Sequence, residues 1–129
     1  MTLVDTSIWI MVFRKQNPLP LEDAVDLDDV VICAPVIQEV LQGFREERHW
    51  RVAREALLSL PIVESPLEMA LYLEASSLYR SARRSGLTIR SSVDCLIASC
   101  ALRHDLEVLH HDRDYTSLAR ITPLRQREA

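Results

Sequence analysis

The stretch Ser91–Tyr115, SSVDCLIASCALRHDLEVLHHDRDY, decides how the rest of the chain is read. From Ser91 or Ser92 it predicts a helix that buries Val93, Leu96, Ile97, Cys100 and Ala101 and carries Asp94 in its first turn. A turn leads to a short apolar strand, Val108-Leu109, which delivers His110, His111, Asp112 and Asp114 to its far end. A helix start and a strand end therefore each present carboxylates. Leu3-Val4-Asp5 is a second short apolar strand ending on an aspartate, followed by Thr6 and Ser7, either of which can cap the next helix. The helical pattern Pro35–Phe44 adds Glu39, which lies well off the core stripe of Ile37, Val40, Leu41 and Phe44.

Between these landmarks strands and helices alternate. Ile8–Phe13 is an almost wholly apolar helix broken by Asn17-Pro18-Leu19-Pro20, and Leu21–Leu27 reads as a short acidic helix. Val30–Cys33 is a β-branched strand, and Pro35 opens the helix that follows. After a polar joint, Arg45–His49, a helix through Trp50, Ala53, Leu57 and Leu60 stops at Pro61, and Ile62-Val63 is a brief strand. A long helix spans Leu67–Ser85 with Gly86 as its stop. The chain ends with a helix over Tyr115–Arg120, a strand at Ile121–Leu124 and a frayed tail, Arg125–Ala129. Such alternation, without a linker or repeat, predicts a single α/β domain over 1–129, its parallel sheet covered by helices on both faces.

The 129 residues suffice for one compact core, and no apolar run approaches the ~20 residues that a membrane span requires. The N-terminus lacks a signal-peptide pattern, so a cytoplasmic location is expected. Cys33, Cys95 and Cys100 fall in apolar patterns without a CxxC pair and read as buried thiols. Two glycines, Gly43 and Gly86, cannot build a glycine-rich phosphate loop. The net charge of −4 speaks against a general polyanion binder but leaves room for a local basic patch. Arg80, Arg83 and Arg84 share one helix face and form the better candidate for RNA contact; Arg45, Arg48, Arg51 and Arg54 drift around theirs.

In an open parallel sheet, ligands bind beyond the carboxyl ends of the strands where the winding reverses. Asp5 and Asp112 stand at such ends, and Asp94 can point into the same crevice. Carboxylates gathered there repel, and without a cation some take up protons. Hard oxygen ligands suit Mg2+ or Mn2+, and such an ion supports phosphodiester hydrolysis. Each acid alone reads as a cap, an Asx-turn residue or an exposed helix position. Jointly they point to a metal. His110 and His111 alternate to opposite faces, so at most one can serve as a phosphate contact or a support behind the ligands.

VDTSIWI, PVIQEVLQGF and TIRSSVDCLIASCALRHDLEVLHHDRDY, in this order and spacing, resemble the PIN-domain ribonucleases, specifically VapC-type toxins of bacterial toxin–antitoxin pairs. The resemblance covers essentially the whole chain. It implies a three-layer α/β/α sandwich with strand order 3-2-1-4-5 and a Mg2+- or Mn2+-dependent endoribonuclease acting on tRNA or another structured RNA. It implies Asp5, Glu39, Asp94 and Asp112 as catalytic acids, with Asp5, Asp94 and Asp112 on the metal, Asp114 a more variable fifth acid, and Thr6 or Ser7 supporting the first aspartate. The position two before Asp112, usually Ser or Thr in that family, is here His110. A homodimer and a cognate, VapB-like antitoxin are also implied, the latter entering a groove for which Trp9, Phe13, Phe44 and Trp50 are candidates.

Other enzymes with similar landmarks fit less well. A haloacid-dehalogenase-type phosphatase needs an Asp-x-Asp motif and a nearby lysine, but Asp5-Thr6-Ser7 lacks the second aspartate and Lys15, the single lysine, is misplaced. A receiver domain lacks the same lysine. The rival of a different class is a catalytically silent PIN-like module that binds RNA or protein, and retention of all four acids argues against it.

Overall fold

In a computed structural model describing residues 1–129, the β-branched and apolar runs form five strands in one parallel sheet. They are β1 (Thr2–Val4), β2 (Val30–Cys33), β3 (Ile62–Val63), β4 (Glu107–His110) and β5 (Gln126–Glu128). The order is β3-β2-β1-β4-β5, with Leu3 opposite Val31 on one side and Val108 on the other. The chain thus winds outward from β1 in one direction and then returns to wind in the other. Right-handed crossovers place α1 (Thr6–Phe13), α2 (Ala34–Leu41) and α3 (Glu47–Leu58) on one face. The other face takes α4 (Met69–Arg84), α5 (Ser92–Arg103) and α6 (Arg113–Ala119).

The central strands are buried on both faces, which is why they read as continuous apolar runs. Helix α5 is almost as enclosed, with Ile97, Ala98, Cys100 and Ala101 each at 0% exposure, because it lies between α4 and the sheet. Gly86 takes φ +76 beyond the end of α4, a left-handed conformation that costs glycine no Cβ clash.

The last strand differs from its expected position. Pro123 cannot donate to a ladder, and Ile121–Leu124 forms a turn in which the Thr122 hydroxyl donates to the Leu118 carbonyl and accepts from the Leu124 N–H. The supposedly frayed tail is the strand instead. Gln126–Glu128 pairs with β4, and Arg127 is pinned to Glu107 and to the Ala24 carbonyl. As an edge strand it needs no apolar run, and charged side chains suit an edge.

Smaller differences are local. Leu21–Leu27 is not one helix: 3-10 turns occupy Leu21–Asp23 and Leu27–Asp29. The regular part of α2 ends at Leu41, where Gly43 and Phe44 bond three residues back and tighten the last turn. α3 starts at Glu47, so most of the expected polar joint is its first turn. The cap of α1 is Asp5 rather than Thr6 or Ser7.

Candidate active site

β1 and β4 are neighbours at the point where the winding reverses, and the Asp5 N–H donates to the Leu109 carbonyl at 2.9 Å. Asp5 leaves β1 as the cap of α1, its Oδ2 accepting from the Ser7 N–H at 3.0 Å and the Ser7 hydroxyl at 2.6 Å. That hydroxyl also accepts from the His111 N–H at 2.9 Å, so Ser7 ties the exit of β1 to the exit of β4. Thr6 serves a different acid, donating to Glu39 Oε1 at 2.8 Å across to α2.

Asp112 repeats the arrangement beyond β4, capping α6 through an Oδ1 that accepts from the Asp114 N–H at 2.9 Å. The cap reading and the site reading are therefore compatible, since capping fixes one oxygen and leaves the other. Asp114 Oδ2 accepts from the N–H groups of Arg90 and Ser91, which fastens the entrance of α5 to the start of α6. Behind them His110 is fully buried. Its Nδ1 accepts from the Asp112 N–H, so Nε2 carries the proton and donates to Gln126 Oε1 at 2.6 Å. This ring is a brace under the Asp112 turn and cannot reach a phosphate. His111, on the other face, is exposed.

Asp94 lies in the first turn of α5 and is 4% exposed. One of its oxygens, Oδ2, is buried without any hydrogen-bond partner. The other lies 3.3 Å from the Tyr115 hydroxyl, whose single proton is taken by Asp5 Oδ1 at 2.5 Å. Burial, contact with Asp114 and the charges of Asp5 and Asp112 push the Asp94 carboxyl up to about 10. Without a cation it therefore stays protonated at neutral pH. Glu39 is raised in the same direction, by burial and by the charges of Asp5 and Asp112, against the opposing Thr6 hydrogen bond.

Asp5, Glu39, Asp94 and Asp112 thus meet at one sheet end. The tightest group is Asp94, Asp112 and Asp114, each with a carboxylate oxygen within 4.8 Å of the others. Asp5 stands beside this trio with both oxygens already engaged, joined to Asp94 through Tyr115. A hard oxygen donor set with an orphaned buried oxygen fits a hard divalent cation. Tyr115 and Gln126 were not foreseen as parts of the site. Arg80, Arg83 and Arg84 are exposed on α4.

The PIN domain family model matches residues 2–121. The VapC ribonuclease Mb1587 of Mycobacterium bovis and the ribonuclease VapC11 of Mycobacterium tuberculosis are 32% identical to this chain over 131 residues, which cover 96% of each chain. Among solved structures, VapBC2 from Rickettsia felis, bound to a promoter DNA fragment, superposes with a TM-score of 0.78 at 18% identity, covering 99% of this chain and 98% of that one. The toxin–antitoxin complex VapBC-5 from Mycobacterium tuberculosis gives 0.73 at 19% identity, with 99% and 98% covered. At those identities the structures report the fold.

Proposed function

This chain belongs to the PIN-domain family, as a relative of the VapC ribonucleases, and from that membership and its acid cluster we propose an endoribonuclease toxin of the VapC type. It hydrolyses phosphodiester bonds in RNA, tRNA or another structured RNA, with Mg2+ or Mn2+, and is neutralised by a cognate antitoxin. The observation that carries the reading is the buried Asp94 carboxyl, one oxygen of which has no partner, clustered with Asp112 and Asp114 and with Asp5 alongside. A silent binding module has no use for such a group.

Asp5, Asp94 and Asp112 would hold the ion, with Asp114 completing the set. When bound, it would polarise a phosphoryl oxygen and orient and acidify a water for attack. The chain's own groups prepare that chemistry. Ser7 and Tyr115 fix Asp5, and His110 holds the turn that aims Asp112. Glu39 has Oε1 occupied by Thr6, so Oε2 is where it can take up a proton, and its raised affinity for one suits that task. Arg90, His111 and Arg113 surround Asp112 at the mouth, and the two arginines supply cations for flanking phosphates. Arg80, Arg83 and Arg84 extend that positive surface.

Partner binding belongs to the same proposal. Phe13 and Phe44 pack edge to face and, with Val52, His49 and Arg45, line a hollow of about 400 Å³ suited to an antitoxin segment. Trp9 is buried beneath, its indole N–H on the Val4 carbonyl. A homodimer belongs to the same proposal. No helix is long and apolar enough to cross a membrane.

The test is cleavage of RNA by purified protein with and without Mn2+, followed by sequencing of the new ends. Asp94→Asn should lower the rate at least about a hundredfold, the scale of losing a metal's charge stabilisation. Equal cleavage by the variant, or cleavage indifferent to a chelator, would overturn the reading.

A further inference from the structure

Outside the acid cluster the largest concavity is a groove of about 630 Å³ between α4 and the start of α5. Tyr72, Tyr79, Arg80 and Arg90 line it with Ser92 and Val93, and no carboxylate does. On a chain of net charge −4 that is a local reversal of sign. Arg103, Arg125 and Arg127 are each paired with acids, whereas Arg80 and Arg90 pair with none. Tyr79 is held in place: the Arg83 guanidinium packs over its ring at 5.2 Å, while the ring also borders the groove.

The groove and the acids share a wall. Arg90 lines the groove and also the mouth at Asp112, and its N–H is bonded to Asp114. Val93, on the groove side, immediately precedes the buried Asp94. A polyanion crossing the acid site therefore meets Arg90 next, and beyond it two tyrosines and Arg80. Aromatic faces interleaved with unpaired cations suit an unstacked strand, whose bases lie on the rings while its phosphates track the arginines. A duplex, with its bases already stacked on one another, has no face to offer.

Resting on the nuclease reading, we infer that this groove is a base-stacking subsite: Tyr79 and Tyr72 receive an unpaired base flanking the scissile phosphate, and Arg80 and Arg90 hold its backbone. The enzyme thereby selects single-stranded segments of its RNA and chooses among them by the base that fits the groove.

Binding is measured with a short fluorescent oligoribonucleotide, alone or annealed to its complement, in an Asp94→Asn background that does not cleave it. The single strand should bind more tightly than the duplex. Tyr79→Ala should weaken it roughly tenfold or more, while Tyr79→Phe, which keeps the ring, stays within about twofold. Tyr72→Ala, at a side chain already 47% exposed, should also weaken binding with an unchanged melting temperature. Arg80→Gln should lower the slope of log affinity against log salt by about one. With Asp94 intact, Tyr79→Ala should raise KM more than it lowers kcat and alter which sites are cut.

Alanine variants that bind and select as the parent does, a duplex that binds as well as the strand, or a parent that binds neither would overturn the subsite. So would a loss of affinity that only follows a change in oligomeric state, which would make the groove a contact between copies. These results are separable from the nuclease reading. If RNA is cut in an Asp94-dependent way whatever stands at Tyr72 and Tyr79, the subsite falls alone. If the oligonucleotide binds through the tyrosines but nothing is cut, the nuclease reading falls alone.

Discussion

The two ends of α5 treat carboxylates in opposite ways. At its start Asp94 is enclosed among Asp5, Asp112 and Asp114 with one oxygen unpaired, and its affinity for a proton is raised. At its end Arg103 and His104 reach Glu64, with contacts at 3.3 and 2.9 Å, and Arg103 also binds Glu74 at 2.7 Å. Hydrogen bonds from His104 and Arg103 there hold the Glu64 carboxyl below its usual range. The helix dipole favours both arrangements, an acid at the N-terminus and a base at the C-terminus, so it does not explain the contrast. What differs is the cation. The fold pairs acids with arginine where only structure is at stake, and at the sheet end no arginine forms an ion pair with Asp5, Asp94, Asp112 or Asp114. A buried set of carboxylates lacking a protein cation is a set kept for an external one.

The largest effect expected from that contrast concerns protons and metal together. The Asp94 carboxyl is raised from 3.8 to about 10, so between those values the folded, metal-free protein holds a proton that the unfolded chain releases. Stability from this group is therefore greatest at low pH and falls as pH rises through that window, by up to about 1.4 kcal/mol per pH unit for one whole proton. A divalent cation displaces that proton. Its affinity should rise up to about tenfold per pH unit, with proton release detectable by calorimetry in buffers of different ionisation heat. Asp94→Asn should remove the Asp94 share of the falling slope, leaving that of Glu39, and should remove the proton release while raising the melting temperature of the metal-free protein. A variant with the parent's full slope or full proton release would mean that Asp94 does not hold the proton that the cation displaces.

Tyr115→Phe sharpens the same end with a smaller change. The ring keeps its packing, 5.1 Å from His110, and only the hydroxyl is lost. Asp5 Oδ1 then lacks its donor in a buried place, a cost of about 1–3 kcal/mol by thermal or denaturant unfolding. Cleavage should fall about tenfold, the usual scale for a group that orients a metal ligand. Added Mn2+ should recover part of the stability, because the cation satisfies the oxygen that the tyrosine left. Equal losses with and without Mn2+ would make Tyr115 purely a core residue.

The contrast was only half legible in the chain. Asp5, Asp94 and Asp112 stand where apolar patterning begins or ends, so their places beside the sheet follow from the pattern, and Glu39 is marked by lying off its helix's core stripe. Their neighbourhood depends on strand order, which the resemblance supplied and the sheet shows. Tyr115 was passed over because a large ring in an amphipathic turn reads as core; only its position beside Asp114, with a hydroxyl that phenylalanine would lack, hinted at more. Gln126 was missed with the whole of β5, since a polar edge strand carries no hydrophobic signal. Glu64 was invisible for another reason: its partners lie 39 and 40 residues away, and no local rule joins them.

The smallest predicted effect tests the other end of α5. Glu64 adopts φ +54, a left-handed conformation uncommon for a residue with a side chain, and its ties to Arg103 and His104 help to hold it there. Glu64→Gln should lower the melting temperature by only a few degrees, since the partners are partly exposed and the loss is screened by salt. Its pH dependence runs opposite to that of Asp94. A carboxyl held below 4.5 stabilises the fold above that value and loses its contribution as pH falls through the folded-state value. The difference between wild type and variant should therefore be full at pH 7 and close on acidification, with RNA cleavage and Mn2+ binding unchanged. Were Glu64→Gln instead to alter metal affinity, the two ends of α5 would be energetically coupled, and the separation between a neutralised acid and one kept for a cation would not hold.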